Sequence, residues 1–196
     1  MKKVVAIFKI VFGILMPIMV FIGYLPEPEL LVEFTCISNA VTGILLITDG
    51  ILNLKDKKLP VRIYGNICVG LFVVFAISMG SLTGAYRINF KGAFFFLHVI
   101  SPIVLMLFYI LFCDDSKGKA IFKMLLNPVF LMAYFLFDFI LGKTRGYFVY
   151  GFFEADGFGI GSALIFGVIV YVLLFASGGV FLLLNGIFHR KKKEAE

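Results

Sequence analysis

The chain has 196 residues, of which 61% are hydrophobic and only 15% charged, and its mean hydropathy is +1.05. Soluble domains run at roughly 45–50% apolar and about 25% charged, so the composition excludes a soluble globular protein and leaves no length for a soluble domain beside the apolar runs. The net charge of +6 fits basic loops on one side of a bilayer better than a nucleic-acid surface.

Taken in chain order, the apolar runs predict an all-α, polytopic membrane protein. It forms a single transmembrane domain over residues 1–196, with spans at about 4–22, 31–54, 61–85, 94–112, 120–141 and 160–188. The first run follows Met1-Lys2-Lys3 and meets Pro26-Glu27-Pro28-Glu29 without a small-residue cleavage site, so it reads as a span rather than a cleaved leader. Pro17 predicts a kink inside it. The second span opens on Phe34-Thr35-Cys36-Ile37-Ser38-Asn39, and a basic loop, Lys55 to Pro60, follows it. The third carries Ala76, Gly80 and Gly84 at four-residue spacing, a small-residue stripe suited to close helix approach. The fourth holds His98, Ser101 and Pro102; the fifth holds Pro128 and Asp138. The connection from Gly142 to Gly159 is long, aromatic and glycine-rich, and includes Tyr147, Tyr150, Glu154 and Asp156. The basic tail from His189 suits contact with anionic headgroups. Cys36, Cys68 and Cys113 form no CxxC or Cys/His spacing, so neither a disulfide framework nor a metal site is expected, and no cofactor is implied.

Basic residues set the orientation. With both termini in the cytoplasm, only Arg87, Lys91, Lys143 and Arg145 of the 18 Lys and Arg fall in outer segments. That topology predicts a multi-pass protein of the cell membrane whose partners are membrane lipids. It puts Glu33, Thr35, Ser38, Asn39, His98, Ser101 and Asp138 in the outer half, with the loop of Tyr147 and Tyr150 able to cover them. Thr35, Ser38 and Asn39 share one helical face. Polar groups in a bilayer are costly and tend to mark function.

Thr35 and His98 have chemical potential as a pair, because a hydroxyl becomes a useful nucleophile when an imidazole takes its proton. Asn39 or Ser38 would donate to a developing oxyanion, and Asp138 or Glu33 would orient the ring. The alternatives are a Thr bonded to its own helix and a His serving as an interhelical hydrogen-bonding group. In the inner half, Lys9 and Asp49 fall at matching depth, with Asn53 one turn further. They predict a structural ion pair.

The motifs also carry a resemblance. Phe34-Thr35-Cys36-Ile37-Ser38-Asn39 resembles the F-T-x-x-S-N signature of a bacterial family of six-span membrane proteins, and Leu97-His98-Val99-Ile100-Ser101-Pro102 resembles its L-H-x-x-x-P stretch. Asn127-Pro128 through Tyr134, followed by Tyr147-Phe148-Val149-Tyr150-Gly151-Phe152-Phe153, is similar to its fifth span and aromatic loop. That family is similar to the animal androgen-induced and androgen-dependent membrane proteins, threonine hydrolases that cleave fatty acid esters of hydroxy fatty acids. The resemblance implies that Thr35 is a nucleophile, that His98 is its base, and that the substrate is a lipophilic ester. The competing expectation is a non-enzymatic lipid- or solute-binding or transport protein that uses the same outer cavity.

Overall fold

The computed structural model describes residues 2–80, 91–115, 118–146, 148–149 and 159–195, with side chains up to residue 190. All regular structure among the described residues is helical, and six helices are long and apolar enough to cross a membrane. They are α1 (Lys2–Tyr24), α2 (Phe34–Leu54), α3 (Arg62–Gly80), α4 (Gly92–Phe112), α5 (Ala120–Arg145) and α6 (Ile160–Ala195, apolar as far as Arg190). The chain is a multi-pass membrane protein. Helices are the natural outcome, because backbone groups in hydrocarbon must find their partners within the segment.

Three boundaries differ from the sequence expectation in ways that matter. The second span starts at Phe34 rather than Leu31, because Pro28 opens a separate 3₁₀ turn, Pro28–Val32. Glu33 then lies extended at φ −61°, ψ 145°, with its N–H on the Leu30 carbonyl, so α2 cannot propagate backward through it. Thr35 consequently sits in the first turn of its helix. Within α5 the helix is interrupted between Leu126 and Val129. Pro128 has no N–H to return to the turn before it. Finally, α6 runs on through the polar tail, whose Lys, Arg, Glu and Ala are all good helix formers. The end expected for the third span, including Gly84, lies outside the described residues.

Contacts group the chain into two units, Met1–Ile63 with Leu71–Phe108, and Tyr64–Gly70 with Tyr109–Glu196. The first unit is built on α1 against α2. A Cβ added at Gly43 would lie 2.6 Å from the Gly13 carbonyl oxygen and 2.7 Å from Pro17 Cδ; one added at Gly13 would lie 2.7 Å from the Gly43 carbonyl oxygen. The two backbones therefore touch at Gly13 and Gly43, and one turn pair further at Gly50 against Ile10 and the Ala6 carbonyl. Pro17 is accommodated inside α1 by this contact, since Gly43 leaves room for its ring.

In the second unit, α6 packs along the first half of α5. Gly178 faces the Asn127 side chain and Gly179 faces Met124. The end of α4 is capped from α6, where the Asn185 amide donates to the carbonyls of Tyr109, at 2.8 Å, and of Cys113.

Candidate functional site

Asn39 organises the polar residues of the first unit. It is fully buried. Its amide nitrogen donates to the Thr35 carbonyl at 2.8 Å and to the Leu97 carbonyl at 3.3 Å, and its oxygen accepts the Ser101 hydroxyl. The backbones of Thr35 and of the residue before His98 thus meet at one nitrogen. Ser38 Oγ also donates to the Thr35 carbonyl, at 3.3 Å, and Thr42 Oγ1 to the Ser38 carbonyl at 2.6 Å. Neither donor expected at an oxyanion is therefore available. Both amide hydrogens of Asn39 and the hydroxyl hydrogen of Ser38 go to backbone carbonyls.

His98 is buried in a wide turn. Residues Phe96–Ile100 form a π-helical segment, in which the Ser101 N–H returns to the Phe96 carbonyl. Pro102 gives the cause. A proline ring clashes with the carbonyl four residues earlier and offers it no N–H, and here that carbonyl belongs to His98. Widening the turn relieves both problems, and such turns frequently lie at functional sites. His98 Nδ1 lies 2.8 Å from the Phe94 carbonyl oxygen and the ring stacks on Phe94 at 6.0 Å. A carbonyl only accepts, so Nδ1 carries the proton, and in the neutral ring Nε2 keeps its lone pair. The ring is oriented by a backbone carbonyl, where a carboxylate of Glu33 or Asp138 was expected. Among the described residues Nε2 has no hydrogen-bond partner.

Thr35 is 5% exposed, and its hydroxyl makes no hydrogen bond among the described residues. It therefore does not back-bond to its own helix, and it forms no hydrogen bond with His98 in this state. Glu33, just before α2, accepts the Tyr24 hydroxyl at 3.0 Å. Burial raises its pKa above the ordinary carboxylate value; the Tyr24 hydroxyl opposes this and Glu27 adds to it. The Tyr24 ring packs on Phe94 at 5.0 Å. Contacts run from His98 through Phe94 and Tyr24 to Glu33, and from Thr35 through Asn39 to the carbonyl of Leu97, next to His98 in the chain.

Elsewhere in the first unit, Lys9 Nζ lies 2.5 Å from Asp49 Oδ2 and 3.0 Å from Asn53 Oδ1, with both charged side chains buried. Asp49 Oδ1 also accepts the Leu59 N–H at 2.6 Å, which ties down the basic loop after α2.

In the second unit, Asp138 is fully buried and its Oδ1 accepts the Val149 N–H at 2.7 Å. It thus holds the start of the aromatic connection. Tyr147, Tyr150, Glu154 and Asp156 lie outside the described residues. Sequence reasoning missed a polar centre in this unit. Asp115 pairs with Lys123 at 2.8 Å, accepts the Tyr109 hydroxyl at 2.9 Å and donates its N–H to Asn185 Oδ1 at 3.2 Å. The available signal was an Asn embedded in the sixth apolar run. Among the described residues, no group of three or more His, Cys, Asp or Glu is arranged to hold a metal ion.

Comparison with protein-family models, with curated proteins and with solved structures finds no match to this chain.

Proposed function

We propose that the protein is an intramembrane lipid ester hydrolase of the cell membrane, with both termini cytoplasmic, Thr35 as nucleophile and His98 as base. One observation carries the reading. Thr35 and His98 are both buried residues, and the Thr35 hydroxyl and His98 Nε2 have no partner among the described residues, on helices that Asn39 ties together. The short-motif resemblance to threonine hydrolases supports it.

In the reaction, Thr35 Oγ1 attacks the ester carbonyl carbon as His98 Nε2 takes the hydroxyl proton. The tetrahedral intermediate collapses, and the leaving alkoxide takes that proton from Nε2. This leaves an acyl-Thr35 ester. A water then gives its proton to Nε2, attacks the acyl carbon, and releases the acid with Thr35 restored. Hydrogen bonds of such pairs often tighten only in the substrate complex, so the open geometry is compatible with this role.

A fluorophosphonate hydrolase probe tests the reading. It should label the wild type and a Thr35→Ser variant, and should fail to label Thr35→Ala. Equal labelling of wild type and Thr35→Ala would overturn it.

A second reading, lipid binding without turnover, draws support from an open apolar groove of about 410 Å³ in the second unit, between α5 and α6. It is lined by Met132, Phe135, Phe139, Leu164, Gly167 and Tyr171, among others, and is shaped for an acyl chain. That reading expects no ester turnover in any variant.

A further inference from the structure

We infer that the backbone N–H groups of Thr35 and Cys36, in the first turn of α2, form the oxyanion site for an acyl carbonyl. This rests on the hydrolase reading and assigns the group that takes up the developing charge.

The hydrogen bonds around the turn single out these two donors. The Glu33 N–H bonds to the Leu30 carbonyl at 2.9 Å and the Ile37 N–H to the Glu33 carbonyl at 3.1 Å. Between them, the Thr35 and Cys36 N–H groups have no acceptor among the described residues. Unpaired donors are ordinary at a helix start that water can reach. This start is closed, with Thr35 5% and Cys36 2% exposed. A buried N–H without an acceptor costs stability comparable to a lost hydrogen bond, so the turn is built to receive one.

Two further observations point to a ligand rather than to packing. Thr35, on the same turn, is a buried residue whose hydroxyl has no partner among the described residues, and His98, also buried, leaves its Nε2 without one. The side-chain donors within reach of that turn, Ser38 and Asn39, are spent on the Thr35 and Leu97 carbonyls. The N-terminus of this 21-residue helix adds a positive dipole end, which stabilises charge as it appears on a carbonyl oxygen. The ligand class is an uncharged acyl group on a long chain.

The test uses the full chain in lipid nanodiscs, labelled with ¹⁵N at cysteine. The probe is 2-octadecanone, which presents a carbonyl on a long chain and has no bond to hydrolyse; octadecane is the chain-only control. The Cys36 amide proton resonance should move downfield and saturate with the ketone, while those of Cys68 and Cys113 stay in place. Octadecane should leave all three unmoved. The Cys36 response should persist in Thr35→Val, which removes the hydroxyl and keeps both N–H groups. An unmoved Cys36 resonance across the ketone titration, the result if water alone fills the turn, would overturn the inference. So would equal shifts with octadecane. Loss of ester hydrolysis in Thr35→Val tests the nucleophile separately. A ketone response in a wild type that turns over no ester would leave the N–H site standing and remove the hydrolase reading.

Discussion

Thr35 and Asn39 are one helical turn apart and have opposite fates. Asn39 spends every hydrogen on backbone carbonyls, whereas Thr35 spends none. The sequence made the shared face of Thr35, Ser38 and Asn39 visible, because helical spacing is fixed. It could not show that Ser38 and Asn39 both turn back onto the Thr35 carbonyl, since that choice depends on rotamers and on the neighbouring helix. Likewise His98 could be picked out as an ionisable residue in an apolar run, but its orienting partner is a main-chain oxygen, and main-chain oxygens carry no sequence signature. Glu33 supplies a prediction at this scale. Burial raises its folded-state pKa, with the Tyr24 hydroxyl opposing and Glu27 adding, so the folded chain holds this proton more tightly than the unfolded one. Its contribution to stability is full below the unfolded carboxyl value and is lost as pH rises through the raised folded value. Thermal unfolding in detergent across about pH 4 to 8 should show wild-type stability falling with rising pH in that window. Glu33→Gln should flatten that part of the slope; an unchanged slope would refute the assignment.

At the scale of elements, the helices were legible because length and hydropathy dictate them, and the sites of close approach were not. The stripe of Ala76, Gly80 and Gly84 looked like the packing face. Yet a Cβ at Gly80 meets nothing within 4 Å, and Ala76 is exposed. The tight contact is at Gly43 and Gly13, whose significance depends on which helices are neighbours. Gly43→Ala should therefore destabilise the protein by about 1–3 kcal/mol through overpacking. Gly80→Ala should be neutral or stabilising by up to about 1 kcal/mol, the helix-propensity gain. Unfolding midpoints of the two variants check the contrast.

The same helix pair carries the Lys9–Asp49 ion pair, anticipated from matching depth alone. Lys9→Met should cost about 3–5 kcal/mol, because it strands a buried carboxylate. Adding Asp49→Leu should recover part of that loss, and only part, since the Leu59 N–H then loses its acceptor. Denaturation of the single and double variants measures the difference.

For the whole molecule, the count of six spans follows directly from the apolar runs; proline altered two of them, at Pro28 and Pro128, and the last runs on because its polar tail is rich in helix formers. The proposed side of the membrane for each end rests on the asymmetry of Lys and Arg. It predicts that a single reactive cysteine added after Ala195, in a chain with its three native cysteines replaced, resists an impermeant maleimide until the cells are opened. Labelling in intact cells would invert the topology and move Thr35 and His98 to the other leaflet.

The wide turn at Phe96–Ile100 has a consequence for lineage. A π-helical segment holds one residue more than the α-helical turn it replaces, so it is a one-residue insertion written into an otherwise regular helix. Deleting a single residue there would swing the preceding stretch, Gly92–Phe95, by roughly 100° about the axis and return Pro102 to its clash with the carbonyl four residues before it. Phe94 would leave His98, and Ala93 would leave Gly23, which it now approaches so closely that an added Cβ would lie 3.2 Å away. Between two descendants that differ by this one codon, columns matched by letter on the far side of the turn would no longer correspond in space. The bookkeeping of kinship for this chain should therefore begin from the wide turn and count outward in both directions.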